Sequence, residues 1–445
     1  MMRALSPAIL LPTVLLMAAC AGPVRPERTA PPPLQPAEFT GTVRDDADSG
    51  PAPPRTEVLQ DVTLAVVEQR AMAQHPSLAA ARARIEAAKG RVYQAGRMPN
   101  PRAKVALEAG PLEDGNTVED GALIVGVNQA IPTSDRLESA TRVEEAETVA
   151  RERELDALSV EVRRAARGAF ATALHAQEIV ARLTTLLEVA ERRVELVRHR
   201  IAAGDESEDA VLRVELEAVS ARHELERAQG RLDQALTALT AAVGDPGLAF
   251  GHLQGELGSA FELPSLAELL SRLEANPTLL AANAGSEAAR ARFDLARDLA
   301  SPDVDLGLAY RRTEAGNDSI DVQFTVPLRV SDRGQGRITE ARAGILDAQA
   351  RERSARLALE TDARGAWQRA DAAWRHLSLL EDEVLPRAER LLEQSALRYD
   401  AGDIPLDELL RLRARWAGVG LDHLDALHET MLAWVELTAF LTEAP

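Results

Sequence analysis

The sequence predicts a mainly α-helical protein with a small membrane-type β region, in which very long coiled-coil helices accompany four strands per chain. Three observations predict it. Apolar residues recur at steps of three and four over stretches longer than any compact domain needs, four short segments alternate apolar with polar residues, and the whole arrangement is written twice. Composition agrees: the 445 residues are 46% hydrophobic but only 3% aromatic, and Ala, Leu, Glu and Arg dominate, a balance that suits long helices more than a sandwich or barrel alone.

The N-terminus reads as an export signal. Arg3 gives a thin positive start, and the apolar stretch Ile9 to Ala19, interrupted by Pro12, is shorter than the roughly 20 residues that span a bilayer. It closes on Leu16-Met17-Ala18-Ala19-Cys20, which resembles a bacterial lipobox, with Met17 where Leu is commoner. Residues 1–20 are therefore expected to be a lipoprotein signal peptide, and Cys20 the site of lipid attachment; a plain signal peptide that contains a cysteine is the other reading. Cys20 is the single cysteine, so no disulfide within the chain can form. Residues 21–56, with Pro31-Pro32-Pro33 and Pro51-Ala52-Pro53-Pro54, hold too little apolar surface to fold alone and are expected to be a disordered tether.

The remainder is a tandem duplication, with a first repeat over 57–250, a linker over 251–263 and a second repeat over 264–445. Pro76 returns as Pro277 and Pro101 as Pro302, both 201 residues on (277 less 76, 302 less 101). Arg167-Gly168-Ala169-Phe170 returns as Arg364-Gly365-Ala366-Trp367, and Ala203-Gly204-Asp205 as Ala401-Gly402-Asp403. Each copy predicts a short helix (about 58–73 and 265–275), an Asn/His-Pro turn, and a second helix (about 77–98 and 278–300) stopped near Pro99, Pro101 or Pro302. Strands are expected at about 102–109, 121–131, 303–312 and 319–327.

The longest helices follow. Leu155, Leu158, Val162, Ala166, Ala169 and Ala173 begin a seam that continues to Ile201, and the return helix repeats it from Ala218 to Ala242. A 3.5-residue period with small Ala knobs is the seam of a coiled coil. Helix is predicted nearly unbroken over about 134–201 and 333–399, each about 100 Å long.

The strands carry one apolar and one polar face. Val105 and Leu107 alternate with Lys104, Ala106 and Glu108; Ile320, Val322, Phe324 and Val326 alternate with Asp321, Gln323 and Thr325. Lipid outside and a wet lumen inside produce this pattern, and so does a half-buried soluble sheet. Four strands cannot close a barrel that passes solutes, so the membrane reading requires several copies. No later segment is apolar enough for a transmembrane helix, so any crossing would be made by strands.

Other chemistry finds no support. A net charge of −19 repels the phosphates of nucleic acid. No HExxH, phosphate-loop, GxSxG or paired-cysteine pattern occurs, so no catalytic residue, cofactor or metal site is predicted. His423 and His428, five apart on a helix, point to different faces, unlike a zinc pair four apart.

Taken together, the duplicated order of short helix, Pro turn, paired strands, long helix and return helix behind a lipobox resembles the TolC-type outer-membrane efflux proteins over residues 57–443. Gln94-Ala95-Gly96 before Pro99-Asn100-Pro101, the run from Pro302 to Arg312, and Pro327-Leu328 with Asp332-Arg333-Gly334-Gln335-Gly336 are similar to the branch serving cobalt-zinc-cadmium pumps. The resemblance implies a homotrimer whose twelve strands close one barrel in outer-membrane lipid, above a periplasmic helical tunnel. It implies passive conduction of divalent heavy-metal cations in partnership with a periplasmic adaptor (membrane-fusion) protein and an inner-membrane transporter of the resistance-nodulation-division type. By the same resemblance Gly204, Tyr399 and Gly402 mark adaptor-contacting tips, and Glu408 falls at a periplasmic gate carboxylate; Arg411 stands where the family has a second carboxylate. Glu408 also suits an ordinary first helical turn, and Gly204 and Gly402 ordinary helix ends. The rival readings are the same duct for drug efflux or type I protein secretion, and a lipid-anchored periplasmic coiled-coil scaffold.

Overall fold

The computed structural model describes residues 57–108, 121–204, 207–258, 261–313 and 316–441; the predicted signal peptide with Cys20, and the predicted tether, lie outside the described residues. The first half runs β1 (Glu57–Leu59), β2 (Val62–Thr63), α1 (Leu64–Gln74), α2 (Pro76–Ala95), β3 (Arg102–Glu108), β4 (Ala122–Ile131), α3 (Arg136–Ala203) and α4 (Glu208–Val243). The second runs β5 (Leu248–Phe250), β6 (Leu253–Gln254), α5 (Leu266–Arg272), α6 (Pro277–Asp298), β7 (Val304–Thr313) and β8 (Asp318–Thr325). It ends with α7 (Gln335–Leu379), a π-helical turn (Leu380–Val384), α8 (Leu385–Asp400) and α9 (Leu406–Leu441). The protein is mainly α, as the sequence predicts, and no helix among the described residues is long and apolar enough to cross a membrane.

Local chemistry sets the recurring starts. His75 and Asn276 each precede a proline at the first helical turn, and their side chains accept from the backbone N–H of Ser77 (3.3 Å) and Thr278 (3.0 Å). A proline there loses no helical hydrogen bond, and the capping side chain satisfies an otherwise orphan donor.

Two expectations are corrected. The helix expected from about residue 58 begins only at Leu64, because β1 and β2 pair in parallel with β5 and β6. Pairing places Val62 beside Leu253, both almost wholly buried, which a helix starting earlier would not do. The second long helix is not unbroken: the π-helical turn separates α7 from α8. Pro386, just beyond it, has no N–H to offer a regular α ladder.

Two cores sit at corresponding places. Val67, Ala71 and Leu78 pack with Phe170, Leu174, Leu239, Val243 and Phe250 in the first half. In the second, Leu269 and Leu279 pack with Leu359, Ala363, Ala366, Ala370 and Leu437. Each fully buried Leu or Phe contributes about 1.5–3 kcal/mol. Alanines dominate the second core, so its helices approach closely.

The four long strands form one antiparallel sheet in the order β3-β4-β7-β8, so the central β4–β7 pairing joins the two halves.

Candidate functional site

The sheet register sorts every side chain onto one of two faces. Val105 pairs with Val125, Val125 with Tyr310, and Tyr310 with Ile320. The adjoining row is Ala103, Val127, Leu308 and Val322. This face is apolar and open: Leu107 is 81% exposed, Ile320 74% and Phe324 71%. The opposite face holds Arg102, Lys104, Glu108, Asn128, Asp305, Arg311, Asp321 and Gln323, with Gly126, Gly307 and Ala309 between them. Among the described residues, β3 and β8 each pair with one neighbour only. Water suits neither the apolar face nor two bare edges.

The polar face carries an ion-pair strap. Arg311 Nε donates to Asp321 Oδ2 at 2.9 Å and Nη1 donates to Glu108 Oε2 at 2.6 Å, spanning from β8 to β3 across Ile124 of β4, which is 4% exposed.

At the far end of the helices, two turns lie side by side. Gly204 ends α3 at φ +83°, its N–H donating to the carbonyls of Arg200 and Ile201. Gly402 follows α8 at φ +80°, its N–H donating to the Tyr399 carbonyl. Both lie in the left-handed region that glycine enters without penalty. The guanidinium of Arg200 donates to the Tyr399 hydroxyl oxygen and stands 5.7 Å from the ring centre, so one tip is tied to the other. Leu410 of α9 reaches the cluster of Ala190, Val194, Val197, Val214 and Ala218. Glu408 and Arg411, three apart at the start of α9, are exposed on one side of that helix. The structure thus brings Tyr399 to Arg200, while Gly204 and Gly402 face open space.

Histidines gather where α9 passes α3 and the π-helical turn. The rings of His175 and His428 stack with centroids 4.3 Å apart. His175 Nε2 bonds Asp425 at 2.8 Å, His428 Nε2 bonds Thr172 at 3.2 Å, and His423 bonds Glu381 at 3.0 Å. Burial pushes the His428 imidazole down to about 4, helped by its charged neighbour His175 and opposed by Asp425. Burial also lowers His175, against Asp425. Among the described residues no group of three His, Cys, Asp or Glu side chains is placed to hold a metal ion.

Sequence reasoning did not find the Arg311 strap, the Arg200–Tyr399 tie or the histidine stack, because each joins residues roughly 200 or more positions apart or on different helices.

Known proteins agree with this architecture. A relative from Cupriavidus metallidurans, the cobalt-zinc-cadmium resistance protein CzcC, is 25% identical over 371 residues, covering 82% of this chain and 87% of its own. Protein CyaE of Bordetella pertussis is 28% identical over 401 residues, covering 85% of this chain and 83% of its own. A crystal structure of CusC superposes with a TM-score of 0.71 at 16% identity, covering 88% of this chain and 97% of that one. The outer membrane efflux protein family matches residues 67–245 and 269–443, most of the chain and both of its halves, and the chain belongs to that family.

Proposed function

We propose that three copies of this chain close into one water-filled duct that conducts divalent heavy-metal cations passively from the periplasm to the outside. Family membership already makes the chain an outer-membrane efflux channel and not an enzyme. The trimer, the cargo and the working residues are the further reading.

One observation carries it: a four-stranded sheet with an exposed apolar face, a polar face and two edges each awaiting a strand. Three such sheets joined edge to edge make a twelve-stranded ring, with lipid outside and a lumen inside. No backbone group at the edges is then left unpaired, a requirement within hydrocarbon. The helices extend the lumen by about 100 Å into the periplasm. Support for the cargo comes from the phrase Asp332-Arg333-Gly334-Gln335-Gly336 and from the likeness to CzcC, a cobalt-zinc-cadmium resistance protein.

The tips are the working parts. Arg200 and Tyr399 hold the two turns together, and Gly204 and Gly402 cap them where a periplasmic adaptor docks. Three copies of Glu408 and Arg411 form a mixed-charge ring at the inner end. Energy comes from an inner-membrane transporter of the resistance-nodulation-division type, and Cys20, once lipidated, anchors the chain to the outer membrane.

A deletion strain tested against cobalt, zinc, cadmium and a panel of drugs, beside purification of the protein from outer membranes, tests the reading. Selective cation sensitivity and a detergent-requiring trimer are expected. Drug sensitivity alone would overturn the cargo and leave the duct; a monomer soluble without detergent would overturn the duct.

A further inference from the structure

Resting on the duct reading, we propose that Arg311 is a built-in counter-cation: it occupies two carboxylates, Glu108 and Asp321, that would otherwise hold the divalent cations the duct must release. The strap lies at the outer mouth. β3 runs outward from α2 and β4 returns to α3, so Glu108, the last residue of β3, marks the end of the sheet remote from the helices. Arg311, two residues before the end of β7, lies near that same end.

The geometry fits a screening role better than a structural one. Arg311, Glu108 and Asp321 are all partly exposed (33%, 53% and 41%), and ion pairs this open to solvent add little stability. Electrostatically the strap matters more. Strand by strand, the polar face carries three cations (Arg102, Lys104, Arg311) and three anions (Glu108, Asp305, Asp321), so the lumen wall is balanced although the chain as a whole is at −19. Arg102 lies nearest the helices on β3, and Lys104 shares a row with Asp321. Removing the Arg311 charge leaves one net negative charge per chain and three around a trimer, at the last place a departing cation passes. Two carboxylates within reach of one guanidinium are also within reach of one divalent cation, for which carboxylate oxygens are good ligands. A conducting path must bind its ion weakly enough to let it go. Arg311 occupies both carboxylates and keeps the mouth from becoming a trap.

The test is single-channel current of the purified full-length protein in planar bilayers, under a salt gradient and with millimolar cobalt(II) or zinc(II) on the barrel side. Arg311→Gln is expected to move the reversal potential toward cation selectivity and to be blocked several-fold more strongly by cobalt(II) than the natural channel. Arg311→Gln/Asp321→Asn should return both readings towards those of the natural channel. Glu108→Gln/Asp321→Asn, with Arg311 kept, should shift selectivity toward anions without added block, and it decides the matter if Arg311→Gln does not assemble. An Arg311→Gln channel with unchanged selectivity and block overturns the inference, as does a natural channel equally blocked or a Glu108→Gln/Asp321→Asn channel with no anion shift. A natural protein that forms no channel overturns the duct reading instead.

Discussion

In the first half of the molecule, α3 runs 68 residues without a break, and its lower part is packed: Ala190, Arg193, Val194 and Val197 are buried against α4, with Val214 and Ala218 opposite. Arg193 is held there by both carboxylate oxygens of Glu217, at 3.1 and 3.0 Å. The matching positions of the second half, 198 residues on, are Ala388, Leu391, Leu392 and Ser395. Of these only Ser395 is buried, and Leu391 is 48% exposed. The upper junctions differ in the same sense. A side chain added at Gly244, at the end of α4, would come within 2.6 Å of Pro76, so α4 abuts α2 tightly. Between α9 and α6 lies instead a groove of about 860 Å³, bordered by Asn276, Pro277 and Phe440. One period of coiled coil therefore yields two mechanical elements: a strut that is packed within its own chain, and an arm whose apolar residues are left for other surfaces.

The largest expected effect would break that contrast if it failed. Val197→Asp places a carboxylate in a buried cluster and should destabilise the outer hairpin by about 3 kcal/mol or more. Leu391→Asp, on the exposed side of α8, should cost well under about 1 kcal/mol within a single chain. Thermal unfolding in detergent compares them, and equal losses would show the arm to be as tightly packed as the strut.

A second test concerns the π-helical turn. The halves are offset by 197 residues at Arg167 and Arg364 but by 198 at Gly204 and Gly402, so the second half has gained one residue between those points. A π-helical turn adds one residue to the ring its hydrogen bonds close, and Leu380–Val384 lies within the interval. Deleting Asp382 should restore a regular helix and rotate α8 by about 100° while drawing it up by about 1.5 Å. Tyr399 would then leave Arg200. Cysteines placed by Arg200→Cys and Tyr399→Cys in a Cys20→Ser background should be joined by a flexible bismaleimide, and several-fold less so after the deletion. Undiminished joining would mean that the tips are held by something other than helix phase.

A smaller effect sharpens the boundary between strut and arm, where α9 meets α3 at the stacked histidines. His428 sits at about 4 when folded, against about 6.5 in the unfolded chain, so below the unfolded value the unfolded chain takes up the proton first. The stability is fully present above about pH 6.5 and is lost as the pH falls toward 4. His175, lowered by burial, acts in the same direction; Asp425 and Arg231 are the charged groups beside the pair, one favouring and one opposing its protonation. The melting temperature in detergent should drop between pH 7 and pH 4.5, and His428→Leu should flatten that slope. A slope unaltered by the substitution would locate the pH response elsewhere.

Period and punctuation made much of this molecule legible. Alternation in Val105-Ala106-Leu107 and Ile320-Asp321-Val322 fixes which side of each strand is apolar, and pairing then lines those sides up. His75-Pro76 and Asn276-Pro277 announce helix starts because the cap and the proline act within two residues of each other. Features made across distance were not legible. Val58 to Thr63 could be helix or strand until Leu248 to Gln254 supplied a partner, and only the fold brings Arg311 to Glu108, 203 residues away. The π-helical turn is an intermediate case: its signal, a one-residue change of offset, was present but lay between anchors about 36 residues apart, too sparse to assign it to one turn.

The smallest expected effect comes from the two tip glycines, and it compares strut and arm with chemistry held constant. Gly204 and Gly402 have nearly the same φ, +83° and +80°, and a methyl group added to either would meet nothing within 4 Å. Gly204→Ala and Gly402→Ala should therefore each cost only the left-handed backbone penalty, about 1 kcal/mol. What differs is how far that cost spreads. In the strut, Val197 and Val214 lie buried behind the tip and confine the disturbance to the last turn. In the arm, Leu397 is 66% exposed, and Ser395 offers little apolar surface to resist fraying. Amide hydrogen exchange should accelerate over one turn of α3 in the first variant and over several turns of α8 in the second. Equal spread in both would mean that neighbouring chains, and not packing within the protomer, hold the arm in place.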